Sequence, residues 1–558
     1  MNLVTEAWIP VVGLDGKPDT ASLMQVFTEG IQFSDLAVRP HERIALMRLL
    51  VCIAQAALNG PEDIDAWDNA PNALPQAAKE YLEKWEKSFN LFDSDKPFLQ
   101  IAKLGKPLKV KPDKNPDSET SSDNKRGKKK GTEENKADKS NEQNPVSKLD
   151  FALASQNNSA LFDHQATAPM PREFSPEWIA LNLLTFQNFS SSGRIGVALW
   201  DKVESSGGGS SFASPCLQKL MLHTFIRRTT LFDTICANLM TKNQVSMYLS
   251  PYEWGKPLWE LSPDSALDQV AIANTIETYL GRLVPISRWI KIAPQGGEMI
   301  LANGFTYPGH PDRPADATAT EILVEIKKKQ ERKLIKADEK NMWRQLPAIL
   351  VKYANDRKGR SPLCLENQAG GNEYDIWVGG VSWSSEGGYL DTIESVLKIV
   401  PELQTDSGVK TYEIEVLHAE KFSNRLVNSV REYRKQIDGS LEKVDDPALD
   451  KKKKNEMENR LRAIALSTAT RHYWTAVEKN RPLLMAHVEA IGTSAEAVEK
   501  TRDAWHKAVH GAARQAYTLA CGQETSRQIR AFALGLGKLF AKQQSHDAQE
   551  TETVEAED

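Results

Sequence analysis

A chain of 558 residues with 40% hydrophobic side chains is too long for one ordinary core and apolar enough to pack, so two domains are expected. The net charge of −5 excludes a general polycation, so any nucleic-acid binding has to rest on locally concentrated positive charge. Five scattered cysteines (Cys52, Cys216, Cys236, Cys364, Cys521) with no CxxC pair argue against disulfides or a structural zinc site, and no apolar stretch is long and charge-free enough to span a bilayer.

The opening MNLVTEAWIPV lacks the basic region and cleavage site of a secretory signal, which points to a cytoplasmic protein. Residues 1–104 read as ordered and mainly helical. Pro40 opens a run, ERIALMRLLVCIAQAAL, whose apolar spacing and lack of breakers predict a buried helix. PFLQIAKL (97–104) reads as a strand or a short extended piece. Residues 105–147 then lose almost every apolar side chain and include KRGKKKG at 125–131. Such a segment cannot bury enough surface to offset its ordering entropy, so a flexible lysine-rich insertion is expected. Its lysines are either merely solvated or touch a phosphate backbone.

A second part of the same domain is expected over 148–400. After the loop QNNSALFDHQ (156–165), a helix is predicted in SPEWIALNLLTFQNF, with Ser175 as N-cap and Pro176 at its first position, stopping at Ser190–Gly193. A glycine cluster at 205–211 precedes a predicted helix, CLQKLMLHTFIRRTTLFDTICANLM. Residues 250–400 mix strands (RWIKIA, EMILANG, ILVEIKKK, DIWVGGVSW) with helices such as MWRQLPAILVKYAND, an α+β reading. Beyond about Val400 strand signals vanish. The stretches beginning YEIEVLH, KNEMENR, SAEAVEK and TSRQIRA carry apolar residues at i, i+3, i+4 and i+7, which predicts a helical bundle over 401–545. The last residues, 546–558, form an acidic tail expected to be disordered.

Few residues point to catalysis. Arg481 and His487 have the spacing that helical-bundle ribonucleases use, with His as acid/base and Arg holding phosphate, but His487 sits in an apolar run that favours a core position. His506 and His510 share one helix face, yet HKAVH lacks the Glu of HExxH and shows no third ligand, so no metal site and no cofactor are expected. Phosphate-loop, nucleophile-elbow and dinucleotide motifs are absent from the sequence.

Collinear segments along nearly the whole chain resemble the large subunit of type I-E CRISPR surveillance complexes (Cascade). They are NLVTEAWIPV, FNLFDSDKPFLQ, NNSALFDH, LHTFIRRTTLFDTICANL, YEWGKPLWE, VPISRWIKIAPQGGEMILANG, WRQLPAIL, GGVSWSSEGGYLDTIES and the helical C-terminal third. The resemblance implies an N-terminal α/β domain and a C-terminal all-α four-helix bundle. It also implies a non-catalytic role: recognising the protospacer-adjacent motif (PAM) in double-stranded DNA, promoting strand separation and R-loop formation, and recruiting a helicase–nuclease. Its implied partners are the target duplex, the 5′ end of the guide RNA (crRNA), and the backbone, 5′-handle-binding and small subunits. In such systems base pairing reads the sequence, and protein reads a short duplex motif and the backbone.

The family's functional elements carry over residue by residue. Asn157, Asn158, Leu161, Phe162, Asp163 and His164 match the loop that contacts the guide end and the motif; amides that donate and accept and a stacking ring suit that task. The alternative is a turn with Phe162 in the core and Asp163 capping. Gly193, Arg194 and Gly196 match a glycine loop, where bare backbone approaches a groove and Arg194 suits a narrow minor groove; a helix C-cap at Gly193 is the alternative. The wedge that splits the duplex falls on Trp383, Ser384, Ser385 and Glu386, where the family's usual Gln is missing, and no Lys stands near Asn303–Gly304. Arg460, Arg462, Arg471 and Lys451–Lys454 either line a track for the displaced strand or are solvated. A purely structural scaffold subunit remains a further alternative.

Overall fold

The computed structural model describes residues 1–106, 144–151, 173–191, 195–205, 214–326, 329–337, 341–350, 359–368, 371–383, 389–438 and 450–541. Most of the lysine-rich insertion and the acidic tail lie outside these. The chain divides into two compact units, Met1–Ala369 with Glu373–Ile399, and Gly370–Asn372 with Val400–Asp558.

The first unit begins with strands rather than helices. Ile9–Gly13 pairs antiparallel with Pro18–Ala21 and with Phe33–Leu36. Ile9 and Val11 are buried while Pro10 and Val12 are not, the period of two that marks a half-buried strand. The expectation of a mainly helical start missed this short alternation. The helix Pro40–Leu58 forms as predicted, with proline in its first turn and its end closed by Asn59 in a left-handed conformation, φ 47°. It is buried along nearly its whole length and meets the helices Ala70–Trp85, Pro176–Phe189 and Leu231–Ala237 and the strand Tyr374–Trp383.

A buried ion pair ties remote parts of this unit together. Arg48 is 1% exposed and forms an ion pair with Asp316, while its other nitrogens donate to the carbonyls of Leu283 and Arg282 and to Asn188 Oδ1. Burial alone would favour the neutral acid, but Arg48 and the surrounding donors hold the Asp316 carboxyl well below the usual range.

Among the described residues the unit has four further three-stranded antiparallel sheets. Tyr374–Trp383 lies between Tyr389–Ile399 and His223–Arg227; Glu298–Asn303 between Arg288–Ile292 and Asn144–Pro145; Glu321–Ile326 between Lys329–Leu334 and Gly359–Arg360; Leu199–Trp200 between Leu104–Gly105 and Val203–Glu204. The helix predicted across 216–240 is broken into a 3₁₀ segment, the strand His223–Arg227 and the helix Leu231–Ala237. Pairing with Tyr374–Trp383 overrides the local helical spacing there.

The C-terminal region is helical: Asp406–Ile437, Lys451–Ala465, Arg471–Lys479, Arg481–Glu489, Ala495–Ala520 and Ser526–Leu539. Tyr412, Val416, Ala419, Ser423, Leu426, Val430 and Tyr433 lie buried at alternating steps of four and three, a continuous seam down the first helix. Ser526–Leu539 and Ala495–Ala520 both pack against that helix. A π turn at Leu466–Thr470 interrupts what the sequence suggested was one helix over 454–491. Among the described residues, no helix is long and apolar enough to cross a membrane.

Candidate nucleic-acid interface

Asn157, Asn158, Leu161, Phe162, Asp163, His164, Gly193, Arg194, Ser384, Ser385 and Glu386 lie outside the described residues. The described residues on either side of each segment show how the fold mounts it.

The segment 152–172 starts from an anchored base. Arg39 Nη1 donates to Asp150 Oδ1 at 2.9 Å, and its other nitrogens reach Glu42 at 2.6 Å and Asn182 at 3.3 Å. Burial disfavours the guanidinium charge, yet hydrogen bonds to Glu42 and Asp150 more than offset this and raise its pKa. Phe151 stacks on Phe186 with centroids 5.6 Å apart and lies 6.2 Å from His41. On the far side Phe174 stacks on Trp178 at 3.9 Å, and the Ser175 hydroxyl accepts from Trp178 N as the predicted cap. Both ends therefore leave from packed aromatic contacts.

The segment 192–194 is mounted by Arg288. This 2%-exposed side chain lies at the end of helix Pro176–Phe189, donating to Ser190 Oγ at 2.8 Å, to the Ser191 carbonyl at 2.7 Å and to the Ser287 carbonyl at 2.6 Å. A cation there ties down the residues just past the helix and complements its dipole. Burial pulls the Arg288 pKa down to about 10. On the other side Gly196 presses against the strand Glu298–Asn303. Its carbonyl accepts from Asn303 N at 3.2 Å, and a Cβ would stand 2.6 Å from the Leu301 carbonyl oxygen. Gly196 thus has a structural reason to be glycine whatever else it does.

The segment 384–388 connects the longest strand pair. Pairing runs unbroken from Tyr374↔Ile399 to Ser382↔Asp391, then shifts by a bulge to Trp383↔Tyr389. The third strand reaches only Gly379, so from Gly380 to Trp383 the ladder is two-stranded, with Val381 still buried. The glycine pair has its own packing role: a Cβ on Gly379 would collide with the Trp377 ring, and one on Gly380 would crowd Ala337 and Met221. The side chain of Trp383 lies outside the described residues.

In the second unit Arg460 and Arg471 are exposed, as are Lys451, Lys452 and Lys453. Arg462 lies on the same helix as Arg460, its side chain outside the described residues. His487 is 3% exposed, with Nδ1 3.2 Å from Thr501 Oγ1. Burial, opposed by Glu415, lowers its pKa. This core position suits a packed histidine better than one open to RNA. His506 Nε2 lies 2.8 Å from Glu415 Oε2, with His418 alongside, so the two groups around His506 that the sequence did not reveal come from another helix, and His510 is not among them. Glu415 and His418, three apart on one helix face, were the missed signal. Arg39, Asp150 and Arg288 were missed too, because single charged residues in mixed sequence carry no local pattern.

Comparison with known proteins places the chain in a wider set. Residues 2–516 match the family model described as CRISPR-associated protein Cse1. A curated CRISPR-associated protein CasA/Cse1 of Thermus thermophilus is 25% identical over 538 residues, covering 92% of this chain and 91% of the relative. The crystal structure of Thermus thermophilus CasA superposes with a TM-score of 0.68 at 20% identity, covering 97% of this chain and 98% of the other. A chain of a structure described as a CRISPR RNA-guided surveillance complex gives a TM-score of 0.67 at 15% identity, covering 97% and 99%.

Proposed function

The chain belongs to the CRISPR-associated Cse1 family, and from that premise we propose that it is the non-catalytic large subunit of a type I-E RNA-guided surveillance complex, reading the PAM in double-stranded DNA. The observation that carries this reading is the family match across residues 2–516, joined to a first unit that fastens the ends of segments 152–172 and 192–194 to packed side chains and carries segment 384–388 on a strand ladder. Elements held this firmly at their bases suit loops that enter a groove, because a binding site is only as well positioned as its support. In this reading segments 152–172 and 192–194 contact the motif and the guide end. The strand end at Trp383 wedges a base step apart, at a cost of a few kcal/mol. The C-terminal helices act as a four-helix bundle whose exposed Arg460 and Arg471, with Arg462, follow the displaced strand. Neutralising phosphates there supplies the salt-sensitive part of binding. Other complex subunits, the guide RNA and a helicase–nuclease are the partners, and the cytoplasm is the compartment.

The test is a gel shift of the reconstituted complex, with and without this subunit, on duplexes carrying the motif or a scrambled one. Discrimination that requires the subunit is the expected result. Equal discrimination in both would make the chain a scaffold. Two substitutions refine the assignment. Phe162→Ala combined with Asn158→Ala should weaken motif-dependent binding. Trp383→Ala should slow duplex opening, followed by base-analogue fluorescence, more than it weakens first contact; a normal opening rate removes Trp383 from the wedge.

A further inference from the structure

The helical unit holds a cluster of histidines around one carboxylate that the DNA-reading role does not use. Glu415 and His418 share a face of Asp406–Ile437, and His506 faces them from Ala495–Ala520. Glu415 is buried; its Oε2 is 2.8 Å from His506 Nε2 and 4.0 Å from His418 Nδ1. One ligand atom from each residue lies within 4.8 Å of the other two. His418 Nδ1 is itself buried and has no hydrogen-bond partner among the described residues. In a purely structural polar network such an orphaned nitrogen is a cost. A buried nitrogen without a partner, beside a carboxylate and a second imidazole whose ring centroid lies 4.0 Å from its own, is a set of donors that a cation could gather.

We propose that Glu415, His418 and His506 bind a divalent transition-metal ion of the zinc type, with water completing its coordination. In a tetrahedral site with bonds of about 2.0–2.2 Å, ligand atoms stand roughly 3.3–3.5 Å apart. The His506–Glu415 pair has to open slightly from 2.8 Å and the His418–Glu415 pair to close slightly from 4.0 Å, within the range of side-chain rotation. For the metal to take His506 Nε2, the proton there has to give way: a neutral ring carries it on Nδ1 instead, and an imidazolium releases one proton to solvent. Two imidazoles and one carboxylate favour zinc, cobalt or nickel over magnesium or calcium, which prefer all-oxygen cages. Behind the carboxylate, His487 Nε2 lies 4.0 Å from Glu415 Oε1, beyond hydrogen-bond reach, while His487 Nδ1 is 3.2 Å from Thr501 Oγ1. The His418 and His506 side chains are 22% and 30% exposed, which gives an ion a way in. His510, one turn beyond His506, packs its ring 4.2 Å from Phe422 and lies outside the ligand set. The bound ion would tie Asp406–Ile437 to Ala495–Ala520, independently of whether the first unit reads DNA.

The experiment uses the full chain with any affinity tag removed, stripped with chelator and titrated with cobalt(II) and zinc(II). The expected result is one ion per chain, visible absorption typical of four- or five-coordinate cobalt, displacement by zinc, and a melting temperature raised by several degrees at saturation. His418→Gln and His506→Gln should each weaken binding at least tenfold, whereas His472→Gln, at an exposed position elsewhere, should leave it unchanged. If the substituted chains do not fold, X-ray absorption of the zinc-loaded native chain decides, with two imidazoles expected in the spectrum. No stoichiometric binding at micromolar metal, unchanged affinity in the doubly substituted chain, or a spectrum without two imidazoles overturns the proposal.

Discussion

Acidification should loosen the first unit through His41, and the size of the effect follows from where that ring sits. His41 is 1% exposed in the first turn of Pro40–Leu58, with Phe189 edge-on at 6.3 Å and Phe151 at 6.2 Å. Burial, reinforced by the neighbouring Arg39 cation, pulls its pKa from 6.5 down to about 3. Between those values the unfolded chain binds a proton that the folded chain refuses, so stability falls as pH falls through this window. From about pH 7.5 to about pH 5 the loss amounts to roughly 2 kcal/mol. His223, lowered to about 4 by burial, adds to the total slope, so the His41 share has to be isolated by substitution. His41→Phe keeps a ring in place and cannot take up the proton. Urea unfolding followed by tryptophan fluorescence reports on this unit, because all but Trp474 and Trp505 of the 13 tryptophans precede residue 400. The native chain should lose roughly 2 kcal/mol more than the variant between the two pH values. Parallel profiles for the two chains would refute the argument. Since Phe151 and Phe189 precede segments 152–172 and 192–194, the same protonation should speed amide exchange at their bases.

Other substitutions test the supports directly. Gly196→Val should cost about 1–3 kcal/mol, since its Cβ has no room beside the Leu301 carbonyl, and an unchanged urea midpoint would contradict the packing. Arg48→Met should cost about 3–5 kcal/mol, because it leaves Asp316 buried without its ion-pair partner; a near-neutral effect by the same assay would show that solvent reaches Asp316. Arg39→Met should raise amide exchange at Asp150 and Phe151 while sparing Ile9–Gly13, which mass spectrometry of deuterated peptides can resolve. The purified chain should not cut labelled RNA, and cleavage abolished by His487→Ala would overturn the non-catalytic reading.

Much of the architecture was written in short-range pattern. The buried helix from Pro40, the cap at Ser175, the strands around Trp289 and Met299 and the C-terminal helices all rest on cues within a turn or two of chain. The family likeness is also a property of linear order, and it needed no coordinates. What local pattern could not supply were the contacts made across distance. LMLHTFIRR carries helical spacing, yet His223–Arg227 is a strand because Asp375–Gly379 offers it a ladder. Arg48 meets Asp316 across 268 positions, Arg39 meets Asp150 across 111, and Glu415 meets His506 across 91. Sequence by itself determined the capped and strongly periodic elements and which family the chain resembles, since propensity, capping and periodicity act between near neighbours. Tertiary structure alone decided which charges are buried together and how Asp150, Phe151, Ser190 and Ser191 are held, since hydrogen bonds and ion pairs between remote residues exist only once the chain has closed around them.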